Sequence, residues 1–229
     1  LCVEEKTSRC DLVTNVDKFI EKFYVDRIRE TFPNSKILGE EGEADKDLDN
    51  FKGLLWIIDP IDGTMNFVKQ HDHFASMIAV CENGIEKLGY ILDVTEDELY
   101  WGGPECGVFC NDQKVAPPKN LPLEEGLFGV GGKMLLSNYR NVQSAAKKSL
   151  GVRIYGSSGI EFIHVLTGKN VSYLSHLRPW DYAAGKILAE TLGLVVKTID
   201  EESLDMLSSS DVLVATKNAH QGIIKLMNS

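Results

Sequence analysis

Apolar residues follow two rhythms along this chain. Val16, Phe19, Ile20, Phe23 and Ile28 form a stripe at helical spacing. The stripe predicts a helix from Thr14 to about Phe32, opened by Thr14-Asn15-Val16-Asp17 and closed by Pro33-Asn34-Ser35. Residues 1–13 carry no period and read as irregular, while 43–52 read as an acidic loop. A short strand at 36–38 leads into Gly39-Glu40-Glu41-Gly42. Leu54-Leu55-Trp56-Ile57-Ile58 is an unbroken apolar run, which predicts a strand covered on both faces. Strands follow at 74–81, 85–92 and 98–101, with Glu82-Asn83-Gly84 as a hairpin turn and Asn111-Asp112 as another turn. Beyond Pro117, Pro118 and Pro122 the texture changes. Strands at 127–130, 152–155, 171–174, 195–199 and 212–216 now alternate with helices at 137–149, 160–167, 181–192 and 219–227. That alternation predicts layered α/β packing. The proline-rich crossover near 116–123 divides an N-terminal half, 1–120, from a C-terminal half, 121–229, within one compact unit.

Composition narrows the partners. With 229 residues, 43% of them hydrophobic, the chain can bury a sizeable core. A formal charge of -10 and the lack of any Lys/Arg-rich run argue against nucleic acid or an anionic membrane as partner. No apolar run has membrane-spanning length, and no signal peptide is visible. Cys2, Cys10, Cys81, Cys106 and Cys110 are odd in number and lack a C-x-x-C spacing, so they read as reduced thiols of a cytoplasmic protein. Leu1 stands where an initiator methionine would, so the natural N-terminus is expected to lie outside this sequence.

The candidate chemistry gathers at Asp59-Pro60-Ile61-Asp62-Gly63-Thr64. Asp59 is expected where the apolar strand leaves the core, with Pro60 ending ladder pairing. Two carboxylates so close, in partly dry surroundings, repel each other unless a cation sits between them. A hard divalent ion with oxygen ligands, most simply Mg²⁺, suits that pair. The backbone N–H groups of Gly63 and Thr64 are expected to hold a phosphate. Two more acidic sites stand at element ends, Glu40-Glu41 and Asp181. Taken singly, each acid has an ordinary explanation. Glu40 and Glu41 suit a solvated loop, Asp181 a helix cap, Asp17 a capping box with Thr14, and Asp59-Pro60 a strand-ending turn. His71 and His73 read as a surface loop, and His164, His176 and His220 as structural or exposed. No C-x5-R phosphate loop and no Walker loop is present, so a cysteine nucleophile and ATP-driven transfer have no support.

Together, Gly39-Glu40-Glu41, Trp56-Ile57-Ile58-Asp59-Pro60-Ile61-Asp62-Gly63-Thr64-Met65-Asn66-Phe67 and Pro179-Trp180-Asp181-Tyr182-Ala183-Ala184-Gly185 closely resemble the inositol monophosphatase family. Asp11-Leu12-Val13-Thr14-Asn15-Val16-Asp17 and Gly156-Ser157-Ser158 match further family segments in order, so the resemblance covers nearly the whole chain. That family belongs to the Mg²⁺-dependent, lithium-sensitive phosphatase superfamily, which also holds fructose-1,6-bisphosphatase, and usually begins with one more helix. The resemblance implies an αβαβα sandwich with the site between its halves, and a homodimer. By motif position, Glu40, Asp59 and the carbonyl of Ile61 would hold a first Mg²⁺. Asp59, Asp62 and Asp181 would hold a second, and a third, weaker ion would sit near Glu40, with Glu41 balancing charge. Thr64 and Glu40 would orient the attacking water, with Asp17 bonded to Thr64. Asp62, Gly63, Thr64, Gly156, Ser157 and Ser158 would contact substrate, and Lys6 matches a lysine near the third metal.

The implied activity is hydrolysis of a phosphate monoester of a small polyol, sugar or nucleotide by metal-activated water, with no phosphoenzyme. The alternatives are a 3′(2′)-phosphonucleotide or NADP phosphatase, a sugar bisphosphatase, or a non-catalytic regulatory protein on the same fold. Inositol-specific members carry a glutamate seven residues before the last metal aspartate; here that position is Leu174, which points away from a strict preference for inositol phosphate.

Overall fold

The structure is a computed structural model and describes the chain except Arg9, Cys10, Glu43, Ala44, Lys46, Asp49, Asn50 and Ser229. It opens with a hairpin of β1 (Val3–Ser8) and β2 (Asp11–Thr14), where the sequence pattern predicts an irregular segment. Its first strand reads Val-Glu-Glu-Lys and is largely exposed, so no apolar alternation marks it. Next comes α1 (Asn15–Thr31) with the expected capping box: Thr14 accepts from Asp17 N–H, and Asp17 accepts from Thr14 N–H.

A seven-stranded sheet follows, in the order β3 (Lys36–Gly39), β4 (Leu54–Asp62), β5 (Ala75–Glu82), β6 (Ile85–Asp93), β7 (Glu98–Gly103), β8 (Gly107–Cys110) and β9 (Gln113–Lys114). Only the β3–β4 pair is parallel. β4 does not end at Asp59, as the proline suggests. Its ladder with β5 breaks between Asp59 and Asp62 and resumes with Asp62 opposite Ala75. Pro60 has no N–H to give, so the break falls on it and the strand carries on beyond. The short helix α2 (Thr64–Lys69) leaves the end of β4.

The second sheet has five strands, ordered β11 (Gly151–Arg153), β10 (Leu127–Val130), β12 (Ser172–Leu177), β14 (Ser210–Ala215) and β13 (Val195–Thr198). Of the helix expected over 137–149 only α4 (Val142–Lys148) forms, entered through a 3-10 turn at Tyr139–Asn141, and a separate short helix α3 (Gly132–Leu136) stands before the expected start. Asn138, Arg140 and Asn141 hold φ of 50, 50 and 62°, a left-handed run that no helix continues through. The remaining helices are α5 (Ser158–Leu166), α6 (Pro179–Thr191) and α7 (Lys217–Met227).

Burial sorts these elements into five layers. Val25 and Ile28 of α1 pack on Ile37 and Ile58 of the large sheet. The other face of that sheet, with Met77, Ala79 and Ile91, shares a core with Phe162 of α5, Leu188 of α6, and Tyr173 and Val212 of the small sheet. The far face of the small sheet buries Phe128, Leu174 and Leu213 against Val142 of α4 and Ile223 of α7. The result is the αβαβα sandwich that the resemblance implied. Strands covered on both faces explain why the apolar runs at 127–130 and 212–216 show no clean alternation. Among the described residues no helix is long and apolar enough to cross a membrane.

Candidate active site

β4 delivers two acids to one end of the central layers. Asp59 is 1% and Asp62 is 7% exposed. Between the two comes Ile61, whose carbonyl accepts the Thr64 hydroxyl at 3.0 Å. The chain then needs a left-handed residue to turn into α2, and Gly63 supplies it with φ of 86°. A Cβ at Gly63 would also lie 2.9 Å from the Cβ of Ser157, so only glycine allows that approach. Asp181 arrives in the first turn of α6, where it accepts the Arg178 N–H at 2.8 Å. Asp181 is not the N-cap expected of it, because α6 starts at Pro179 with Arg178 at the cap; it bonds the cap residue's N–H from the third helical position and joins the cluster as well. Ligand oxygens of Asp59, Asp62 and Asp181 all lie within 4.8 Å of one another. Glu40 follows β3, and its N–H donates to the Ile58 carbonyl at 3.2 Å, which places its side chain beside Asp59.

These groups line a polar cavity of about 180 Å³, walled by Glu40, Asp59, Ile61, Asp62, Gly63, Thr64, Gly156 and Asp181. Asp17 lies behind the wall, fully buried, and accepts the Thr64 hydroxyl at 3.1 Å. Ser157 and Ser158 approach from α5 and meet Asp62 rather than open solvent. Asp62 accepts from the Ser157 hydroxyl, from Ser158 N–H at 3.0 Å, from the Ser158 hydroxyl at 2.9 Å and from Gly159 N–H at 2.7 Å. An acid at the head of α5 is favoured by the helix dipole and its unpaired N–H groups.

Electrostatics mark the cluster as unfinished. Burial, then the charges of Glu40, Asp62 and Asp181, push the Asp59 carboxyl well above the usual carboxylate range. Burial and the charge of Asp62 push Asp181 up to about 8. Asp59 Oδ1 is buried with no hydrogen-bond partner among the described residues. An orphaned acceptor among crowded acids costs several kcal/mol unless protons or cations compensate. At the rim, Lys6 of β1 donates to Glu40 at 2.9 Å and Glu41 at 2.6 Å. Burial raises Glu41 to about 7, with Lys6 opposing.

Comparison with known proteins then decides the family. The family model described as "Inositol monophosphatase family" matches residues 1–229. The chain belongs to the inositol monophosphatase family. It is 43% identical to the inositol-1-monophosphatase of Bacillus subtilis (strain 168), over 98% of this chain and 86% of that one. Its fold superposes with a TM-score of 0.91 on an IMPase/NADP phosphatase complexed with Mg²⁺ and phosphate, at 32% identity, covering 99% of this chain and 86% of the other. A staphylococcal inositol monophosphatase-1, solved as a LiCl-soaked inhibitory complex, matches at a TM-score of 0.93 and 32% identity, over 99% of this chain and 85% of the other. The protein is accordingly a phosphatase of the inositol monophosphatase type, a phosphoric monoester hydrolase.

Within that family frame, the structure also shows what residue spacing missed. Leu174, seven positions before Asp181, does not face substrate space. β12 turns it into the core beside Phe128 and Leu213, fully buried, and Tyr173 and Ser175 face the larger cavity instead. Two further residues hold the site together. Glu21, one helical turn after Asp17, accepts Glu41 N–H at 2.8 Å. Asn66 donates to the carbonyls of His73 at 2.8 Å and Tyr155 at 2.7 Å, tying α2 to the loop before α5. The four-residue spacing of Asp17 and Glu21 on one helix face was the available signal for the first. Asn66 lies inside the motif, but nothing local shows its partners. Cys2, Cys81, Cys106 and Cys110 are free thiols, and Cys10 lies outside the described residues.

Proposed function

We propose that the protein hydrolyses the phosphate monoester of a small hydroxylated molecule at the Asp59–Asp62–Asp181 cluster, with Mg²⁺ as its cofactor. The observation that carries this is the convergence of one oxygen each from Asp59, Asp62 and Asp181 within 4.8 Å of one another, with Asp59 Oδ1 buried and without a hydrogen-bond partner among the described residues. An all-oxygen, strongly acidic donor set fits Mg²⁺. In this reading Glu40, Asp59 and the Ile61 carbonyl hold one ion and Asp59, Asp62 and Asp181 another, with a third, weaker ion near Glu40. Bound there, Mg²⁺ would supply charge neutralisation for the phosphate oxygens and acidify a nucleophilic water.

The chain's own groups account for the rest. Thr64 directs its hydroxyl proton to Asp17 and to the Ile61 carbonyl, so its lone pairs remain to accept from a water in the cavity. Glu40 on the opposite wall accepts that water's second proton and fixes its direction. Asp17 draws on the Thr64 proton and sets the polarity of the chain of donors. Gly63 and Thr64 line the same cavity, where their backbone N–H groups would meet the phosphate. Gly156, Ser157 and Ser158 border the leaving group's space, a cavity of about 380 Å³ that shares Asp62 and Asp181 with the acidic one.

One observation supports a nucleotide ester as a second substrate class. The leaving-group cavity shares Lys133, Met134 and His176 with an outer pocket of about 260 Å³, which adds room beyond one sugar and sets Lys133 beside it. In the same reading the protein is a cytoplasmic homodimer. Its free thiols suit a reducing compartment, and edge strand β11 is flanked by Leu150 and Ile154, exposed at 70% and 53%. The test is phosphate release from inositol 1-phosphate, 2′-AMP and NADP, with Mg²⁺ and after chelation. Release that needs Mg²⁺ supports the reading; no release from any of the three ends it.

A further inference from the structure

The leaving-group cavity has an unusual wall. On β10, Phe128 and Val130 face the core and are fully buried, while Gly129 alternates to the other side, continued by Gly131 just past the strand. Neither position has room for a side chain while Glu161 and Ser175 stand where they do. A Cβ at Gly129 would lie 2.3 Å from Glu161 Oε2, and one at Gly131 would lie 2.5 Å from Ser175 Oγ. The bare backbone thus makes room for two polar side chains that reach across it, Glu161 from α5 and Ser175 from β12. Tyr173 stands on the same face of β12 as Ser175.

Glu161 is the odd member. It is 1% exposed, yet it lines the same cavity as Asp62 and Asp181. Its carboxyl accepts Tyr155 N–H at 3.0 Å and the Asn170 amide at 3.3 Å, and no cation pairs with it among the described residues. An ionised acid in so dry a position without a cation is unfavourable, so the site holds a carboxyl in its neutral form at the cavity wall. From these contacts we infer that Glu161, seconded by Ser175, is the specificity-determining residue that hydrogen-bonds a hydroxyl of the substrate's leaving group. The inference rests on the phosphatase reading and deepens it, because it selects polyhydroxylated alcohols over apolar ones.

The chemistry of the acid supports a hydroxyl partner. Burial pushes Glu161 up to about 8, so it is a neutral carboxylic acid at pH 7. A neutral acid offers one O–H donor and spare acceptor lone pairs, which is what a hydroxyl needs from its partner. An ionised carboxylate can only accept, whereas the neutral acid can both donate to a hydroxyl and accept from it. Gly131 and Gly132 offer backbone to the leaving group on one side of the cavity, and Glu161, Tyr173 and Ser175 line it beside them.

The experiment compares kcat/KM for inositol 1-phosphate with kcat/KM for p-nitrophenyl phosphate, whose leaving group has no neighbouring hydroxyls. Wild type, Glu161→Gln and Ser175→Ala are assayed with Mg²⁺. The inositol-to-nitrophenyl ratio is expected to fall about tenfold in each variant, the loss of one substrate hydrogen bond, and to fall through KM rather than kcat. An unchanged ratio, including an equal loss on both esters, overturns the inference. If Glu161→Gln does not fold, Ser175→Ala decides, because it leaves the Glu161 contacts to Tyr155 and Asn170 in place. A wild type inactive on both esters overturns the phosphatase reading itself, and this inference with it.

Discussion

Asp62 Oδ1 accepts both the backbone N–H and the hydroxyl of Ser158, a residue 96 positions further along the chain. That pair joins the end of β4 to the head of α5 and so closes the acidic cavity between the two sheets. Removing the hydroxyl with Ser158→Ala leaves the N–H bond and the helix dipole. The expected cost is about 1 kcal/mol of stability, read as a lower urea midpoint with an unchanged slope. Mg²⁺ binding by calorimetry should survive, because the Asp62 carboxylate stays oriented by Gly159 N–H.

Asp59→Asn separates repulsion from ligation. Burial and three acidic neighbours push the Asp59 carboxyl well above the usual carboxylate range. Neutralising it should leave the metal-free protein as stable as wild type or more so. The stabilisation by added Mg²⁺ should vanish, and phosphate release should fall by roughly a thousandfold, the scale of losing metal-based charge stabilisation. Thermal melts with and without Mg²⁺, alongside a phosphate assay, read all three effects.

The metal-free protein should become less stable as pH rises from about 4 toward about 8. The sign follows from Asp181, whose carboxyl moves from an ordinary 3.8 up to about 8 in the fold. Between those values the folded state holds a proton that the unfolded state has lost, so raising pH favours unfolding. Mg²⁺ reverses the balance by taking the deprotonated form, and its binding should tighten with pH over the same window. Melting temperatures at pH 5.5 and pH 8, in chelator and in Mg²⁺, should show opposite trends; parallel trends would contradict the cluster's electrostatics.

Thr64→Val keeps the volume at the head of α2 but deletes the proton path to Asp17. Its kcat should drop by about a hundredfold with KM little changed, the range for a lost proton-transfer partner. Asp17→Ala should do this and also remove the capping contact to Thr14, at about 1 kcal/mol of stability. Chemical denaturation distinguishes the two variants, since only the second loses the cap.

Much of this was legible before the fold was known. The apolar periods located α1, β5, β6, α6 and α7 to within a few residues, because each buries a continuous face. The acidic motifs named the residues that now line one cavity, Glu40, Asp59, Asp62, Thr64 and Asp181 among them. The hairpin of β1 and β2 escaped notice, since Glu4, Glu5 and Lys6 give no apolar signal and the pairing partner alone makes them a strand. The break at Asn138–Asn141 escaped too, because three residues with positive φ replace a turn of helix that composition permits.

What the sequence by itself determined is most of the elements and the chemical identity of the site: periodicity and residue type are local, and a helix or strand that buries a continuous face carries that face in its own residues. What only the tertiary structure decided is direction. Counting seven residues from Asp181 led to Leu174, but strand register sends that side chain to the α4–α7 core and leaves Tyr173 and Ser175 on the cavity. In a strand, neighbouring positions face opposite ways, so an offset of one exchanges core for site. The same holds for Glu161, an unremarkable acid in a helical stretch until Gly129 makes room for it at the cavity wall.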